Sequence, residues 1–134
     1  MISKMKIVKN ENKTSLIWEY PIYKQEVIRK NKAKTRNTLY TSRIPQTIVE
    51  FMEVTDRKIY FYEKEGIVYI TSKRPQVEHQ GLLLRRTTNI FSIPTWYFPG
   101  DILDGNTTTK FQLSLEMIDP YRNEYGVLTM EVVK

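Results

Sequence analysis

The sequence contains no cysteine, which excludes disulfide bonds, cysteine-ligated metal sites and thiol chemistry. Histidine is almost as scarce. The single one, His79, lies in a polar stretch without the convergent partners that a metal site or histidine-based catalysis needs. The five glycines are scattered, so no glycine-rich loop is available to bind phosphates. No serine has the sequence context of a nucleophile. We therefore expect no enzymatic activity, no cofactor and no metal ion.

Long apolar runs are also missing. No segment approaches the roughly 18–20 consecutive apolar residues of a membrane-spanning helix, and the first ten residues lack the apolar run of a secretory signal. We expect a cytoplasmic protein that does not enter membranes. A chain of 134 residues with 40% hydrophobic and 27% charged residues suits one globular domain. Nine tyrosines, with recurrent Ile, Val and Thr, favour short β-strands over long helices.

Positive charge is concentrated in the first half of the chain. Residues 1–76 carry 16 Lys and Arg against 8 Asp and Glu, whereas residues 77–134 carry 5 against 7. Between Lys24 and Arg43, seven cations accompany one anion, Glu26. Cations that bind phosphates release condensed counterions, so a cluster of this kind indicates a polyanionic partner. We favour nucleic acid as that partner over the alternative of a solvated arm that only maintains solubility.

Two segments that are each built around an Ile-Pro pair resemble one another. The first extends from Arg36 to Pro45 and the second from Arg85 to Pro94, so both the arginines and the prolines are 49 residues apart. Each segment precedes a stretch long enough for one or two helical turns and then two strand-like stretches. A fixed period with the same order of elements is typical of an internal repeat.

The stretch after Pro45 predicts a short helix, because proline suits the first helical turn. Its apolar stripe at helical spacing comprises Ile48, Phe51 and Met52. Two alternating stretches follow, and Gly66 between them can adopt the positive φ of a hairpin turn. The whole pattern predicts an α+β fold, mainly antiparallel β, with one short helix and two copies that share one core.

The first copy resembles a known family. Its basic stretch, its strand ending in Ile44-Pro45, its short helix and its hairpin over residues 59–70 are similar to the swapped-hairpin AbrB class. That class includes transition-state regulators, MazE-type antitoxins and MraZ regulators. The resemblance covers residues 28–74 best and residues 83–133 weakly. It implies a small barrel of two interleaved hairpin units, in which basic residues before the Ile-Pro pair face DNA.

The resemblance also divides the chain into three regions. Residues 1–27 are expected to form an N-terminal β-hairpin extension, residues 28–76 the basic first repeat, and residues 77–134 a degenerate second repeat that packs on the first. Two copies within one chain, as in MraZ-type proteins, would pair with each other.

We therefore expect a DNA-binding regulator of transcription that acts on duplex DNA. A homodimer is expected to bring two Lys24–Arg43 segments together, since a duplex favours twofold proteins. The residues expected to bind DNA fall into three groups: phosphate contacts in a polar stretch, namely Arg29, Lys30, Lys32 and Lys34; residues on or beside the Ile-Pro strand that can reach base edges, namely Arg36 and Arg43; and their counterparts in the second copy, Arg85 and Arg86.

The sequence is also compatible with two other functions. One is an antitoxin, or a small phage-type or plasmid-type effector, that binds and inhibits a protein partner such as a toxin or a nucleic-acid enzyme. The other is binding of single strands, whose bases would stack on Trp18, Trp96, Tyr97 and Phe98. Such aromatic residues more often serve core packing.

Overall fold

The structure is a computed structural model that describes residues 5–10, 13–28, 36–98, 107–118 and 125–133. In these ranges the strands are β1 (Lys6–Asn10), β2 (Lys13–Pro21), β3 (Tyr23–Ile28), β4 (Arg36–Arg43), β5 (Lys58–Lys64), β6 (Ile67–Thr71), β7 (Gln80–Leu83), β8 (Ile90–Ser92), β9 (Thr108–Ile118) and β10 (Tyr125–Val133). The helix α1 spans Gln46–Phe51, and Thr95–Tyr97 form one 3-10 turn.

All strand pairings are antiparallel, which confirms the expected mainly β architecture with one short helix. The large sheet has seven strands in the order β1-β2-β9-β10-β6-β5-β7, and the small sheet has the order β3-β4-β8. Both sheets are open. The closed barrel that the family resemblance implies is therefore not found among the described strands.

The chain passes from the large sheet to the small sheet at Ile22. Its backbone N–H donates to the carbonyl oxygen of Thr107 at 3.2 Å, and β3 begins at the next residue. Proline at position 21 lies at the end of β2, where the missing N–H is tolerated. The boundary expected between residues 27 and 28 falls inside β3, and β3 pairs with β4 along its whole length.

The core joins the two sheets through three phenylalanines. Phe91 of the small sheet lies between Phe61 and Phe111 of the large sheet, with ring centroids 5.5 and 6.4 Å away. Trp18 stacks on the far side of this group, 5.4 Å from Phe111. Phe91 is only 1% exposed. Buried rings at these separations add roughly 0.5–1.5 kcal/mol per pair to the stabilisation from their buried area.

The predicted helical stripe is only partly correct. Ile48 is buried and Met52 packs beside the core, but Phe51 is 52% exposed, and Val49 packs against the core instead. The helix has six residues and ends at Phe51, after which the chain turns through Glu53 with a φ of 54°. The face that α1 and the residue after it turn to the core is therefore formed by Ile48, Val49 and Met52.

The hairpin turn between β5 and β6 agrees with the expectation. Glu65 and Gly66 have φ angles of 53° and 79°, as a two-residue turn of the primed type requires. One strand was missed. The chain forms β7 over Gln80–Leu83, directly after a polar stretch, and this strand pairs with β5. The four residues of β7 are too few to show an alternation of apolar and polar residues.

We expect Phe91→Ala to lower the free energy of unfolding by about 3–5 kcal/mol, because it leaves a cavity where the two sheets meet. The matched control is Trp96→Ala. Its side chain is 64% exposed, so the expected loss is below about 1 kcal/mol. Urea unfolding followed by circular dichroism measures both. Equal losses for the two variants would contradict the central place of Phe91.

Candidate nucleic-acid interface

Strands β3 and β4 form a two-stranded antiparallel ribbon. Their register runs from Tyr23 opposite Thr41 to Ile28 opposite Arg36. The third strand, β8, pairs only with the last three residues of β4. The half of the ribbon that ends at Ile28 and Arg36 therefore has no third strand among the described residues.

The pleat of the small sheet separates an inner from an outer face. Ser42 and Phe91 face each other in the register and point into the core, where the hydroxyl of Ser42 lies 2.6 Å from that of Thr109. Since neighbours along a strand alternate and paired residues share a face, the opposite side is the outer face. By register, its members are Tyr23, Gln25, Leu39, Thr41, Arg43, Ile90 and Ser92.

Arg43 and Arg85 each neighbour Ile90 through the backbone. Arg43 is opposite Ile90 in the register, and the backbone N–H of Arg85 donates to the carbonyl oxygen of Ile90 at 2.8 Å. The guanidinium of Arg85 donates to the side-chain oxygen of Gln25 at 3.2 Å. Arg86 follows in the same turn, and all three arginines are exposed. The structure thus brings together three of the predicted DNA-binding residues.

Arg57 holds the turn that carries Arg85 and Arg86. Its guanidinium donates to the carbonyl oxygens of Leu84, at 3.0 Å, and of Arg85. It also lies 3.5 Å from the side-chain oxygen of Asn89. Asn89 is buried, and its amide donates to Gln46 at 2.8 Å. The sequence showed Arg57 only as part of a polar turn, and no spacing links it to residues almost 30 positions away.

Of the other predicted residues, only Arg36 lies in the part of the chain that the structure describes, at the far end of the ribbon. Arg29, Lys30, Lys32 and Lys34 are not among the described residues, and the side chain of Arg36 is not described. Arg36 and Arg43 are the two ends of β4. At about 3.3 Å per residue they are about 23 Å apart. Arg36 and Arg43 therefore lie at opposite ends of the ribbon and do not belong to one compact patch.

A cleft of about 320 Å³ opens beside Arg43. We call it the Arg43 cleft, and its lining comprises Tyr20, Pro21, Tyr23, Thr41, Ser42, Arg43 and Ile90. Burial raises the pKa of the Tyr20 phenol above its usual value, and the nearby positive charge of Arg43 partly offsets that rise. Tyr20 is therefore a neutral hydroxyl at physiological pH.

Among the described residues, no three His, Asp or Glu side chains are grouped as they would be to hold a metal ion. The helices in the described ranges are all too short or too polar to span a membrane. Comparison with known proteins finds no matching family model, no significantly similar curated protein and no significantly similar solved structure.

We expect Arg43→Met to raise the pKa of Tyr20 further, because it removes the one charge that favours the phenolate. Above about pH 10, Tyr20 then keeps its proton in the folded state but loses it in the unfolded state. The free energy of unfolding therefore falls as pH rises above the usual tyrosine pKa of about 10. Nuclear magnetic resonance of ¹³C-labelled tyrosine follows the titration. An unchanged or lower pKa of Tyr20 in the variant would show that Arg43 does not act on it.

Proposed function

We propose that the protein binds duplex DNA through the β3–β4 ribbon and its outer face, and that it regulates transcription. The observation that carries this proposal is the ribbon itself. It projects past the third strand of its sheet, and it has Arg43, Arg85 and Arg86 at its base. The major groove of DNA admits a two-stranded β-ribbon.

Electrostatics supports the ribbon as a whole, because Lys24 and Arg43 lie on opposite faces of it by register. The ribbon and the segment that joins its strands hold the seven cations and single anion counted between Lys24 and Arg43. Arg36 and Arg43 are the ends of β4, about 23 Å apart, and each strand of duplex DNA carries one phosphate per about 3.4 Å of helix axis. The ribbon is therefore about as long as seven base pairs of duplex measured along the helix axis. In this proposal Arg29, Lys30, Lys32 and Lys34 contact phosphates.

Arg43 is the residue that we assign to base recognition. It is the last residue of β4, where it pairs with Ile90 of β8, and Ile44 and Pro45 end the strand directly after it. Its backbone position is therefore fixed before DNA binds. A guanidinium on a fixed strand can donate two hydrogen bonds to guanine, a geometry that lysine cannot provide.

We further propose that the two halves are pseudo-repeats. Strands β4 and β8 pair with Ser42 opposite Phe91, and these residues are 49 positions apart, as are the two Ile-Pro pairs. Strands β6 and β10, the second strands of the two hairpins, also pair antiparallel, with Tyr69 opposite Thr129. Each antiparallel contact has the local twofold geometry that pairing of two copies requires.

Contacts between the halves support a swapped arrangement. The ring of Phe51, in the helix of the first half, lies over Gly126 in the hairpin of the second half. A β-carbon on Gly126 would come within 2.9 Å of that ring. Conversely, the hydroxyl of Tyr97, in the turn of the second half, donates to the carbonyl oxygen of Phe61 at 3.0 Å. On the basis of these contacts, we propose that the chain belongs to the AbrB class.

The proposal includes a homodimer, because one basic ribbon per chain covers only one side of a DNA site. Light scattering at micromolar concentration should give twice the chain mass of 16.0 kDa. A single species at 16.0 kDa would contradict this part of the proposal and leave the ribbon as a monomeric DNA contact.

Binding to a selected duplex and to a scrambled duplex tests the assigned roles. We expect Arg43→Ala to weaken binding to the selected duplex by about 1–3 kcal/mol and to reduce discrimination between the two. Lys30→Ala and Lys32→Ala should weaken both duplexes equally. Each should lower the slope of log affinity against log salt by about one, because one phosphate contact is lost.

The matched control is Lys9→Ala, which removes an exposed cation from β1 at the edge of the large sheet. It changes the net charge by the same amount and should leave the affinity and the salt slope close to those of the unmodified protein. If Lys9→Ala had the same effect as Lys30→Ala, binding would depend on net charge alone. Failure to bind any duplex at low salt would favour the protein-inhibitor alternative.

A further inference from the structure

The Arg43 cleft has the size of a small-molecule site. Its volume of about 320 Å³ is at the lower end of the range of roughly 300–1,000 Å³ in which such sites fall. It lies where the chain crosses from β2 to β3, and β4 forms its floor. The backbone around it belongs to paired strands, so the cleft is formed before any ligand binds.

The side chains around the cleft provide three kinds of contact. Tyr23 is 61% exposed and provides an aromatic ring. Arg43 provides a guanidinium, which matches the geometry of a phosphate. Tyr20 and Thr41 are the hydroxyl-bearing residues of the lining, and the hydroxyl of Thr41 donates to the carbonyl oxygen of Tyr23 at 3.4 Å.

The charge of the cleft selects for an anion. No carboxylate is among the described residues that line it, so Arg43 gives the cleft a positive sign. Burial also keeps the Tyr20 phenol neutral by raising its pKa, and a neutral phenol can donate a hydrogen bond to a phosphate oxygen. A ligand that matches the whole cleft therefore combines an anionic group with a flat ring.

We propose that the Arg43 cleft binds one unpaired nucleotide, with its phosphate on the guanidinium of Arg43 and its base against the ring of Tyr23. Duplex binding by the ribbon does not imply this, because a paired base has its face covered by its neighbours in the stack. The two modes use Arg43 in turn, on a base edge when a duplex is bound and on a phosphate when an unpaired nucleotide is bound. The nucleotide has two possible sources, a free mononucleotide and an unpaired position in a DNA strand, and both offer the same chemistry.

Titration of the full chain with thymidine 5′-monophosphate tests the proposal. We expect saturable binding that shifts the ¹³C signals of Tyr20 and Tyr23. Thymidine, which lacks the phosphate, and deoxyribose 5-phosphate, which lacks the base, should each bind at least about tenfold more weakly. Stacking of one base is worth about 1–3 kcal/mol, so Tyr23→Ala should weaken binding by roughly 5- to 150-fold. Tyr23→Phe should retain it.

Two further variants separate this site from general charge and stacking effects. Arg43→Met should reduce the affinity for the mononucleotide to that for thymidine. Trp96→Ala removes an equally exposed aromatic residue that does not line the cleft, and it should change nothing. Absence of saturable binding would overturn the proposal. So would binding that survives both Arg43→Met and Tyr23→Ala, or binding that Trp96→Ala abolishes.

The ligands also separate this proposal from duplex binding and identify the source of the nucleotide. A blunt-ended duplex, in which every nucleotide is paired, reports on the ribbon alone. Mononucleotide binding without binding of this duplex supports the cleft and contradicts the ribbon, and the reverse result contradicts the cleft only. Single-stranded oligothymidylate that binds at least tenfold more tightly than the mononucleotide would assign the cleft to a strand. Equal affinities would assign it to the free nucleotide.

Discussion

The contact of Phe91 with Phe61 and Phe111 is the constraint on which the rest of the structure depends. It is the point at which the small sheet meets the large one, and it buries rings from both. Because Phe91 is opposite Ser42, the same contact turns Ser42 inward, where it reaches the hydroxyl of Thr109. Alternation along β4 then turns Arg43 outward. The packing of the core thus determines that Arg43 lies on the outer face of the small sheet.

That orientation also explains how a charged surface coexists with a small hydrophobic core. The outer face of the small sheet keeps its arginines in water, where their charge has no desolvation cost. Arg57 fixes the turn that carries Arg85 by hydrogen bonds to backbone carbonyl oxygens. Arg57 thus has a structural role, and the side chain of Arg85 donates to Gln25 instead. The proposed interface needs this support, because a turn of exposed residues has little packing of its own.

Local features of the fold could be predicted from the sequence, whereas contacts distant along the chain could not. Gly66 specified its turn and Pro45 specified the start of α1, because both act through their own backbone angles. The open sheets, strand β7 and the exposure of Phe51 depend on which strands become neighbours, and periodicity does not encode that. Of the candidate site, Arg43 was predicted from charge clustering, and Arg85 and Arg86 from their place in the second Ile-Pro segment. The Arg57 contacts and the Arg43 cleft were not, because they join segments far apart in sequence.

The central claim is that the outer face of the small sheet is the surface that binds duplex DNA. Amide chemical-shift mapping of the ¹⁵N-labelled chain, titrated with a duplex at low salt, tests it most directly. We expect the largest shifts in β3, in β4 and in residues 85–90, with the seven-stranded sheet almost unchanged on its outer side around Lys110 and Glu131. Shifts concentrated around Lys110 and Glu131, or no shifts at saturating duplex, would contradict the claim.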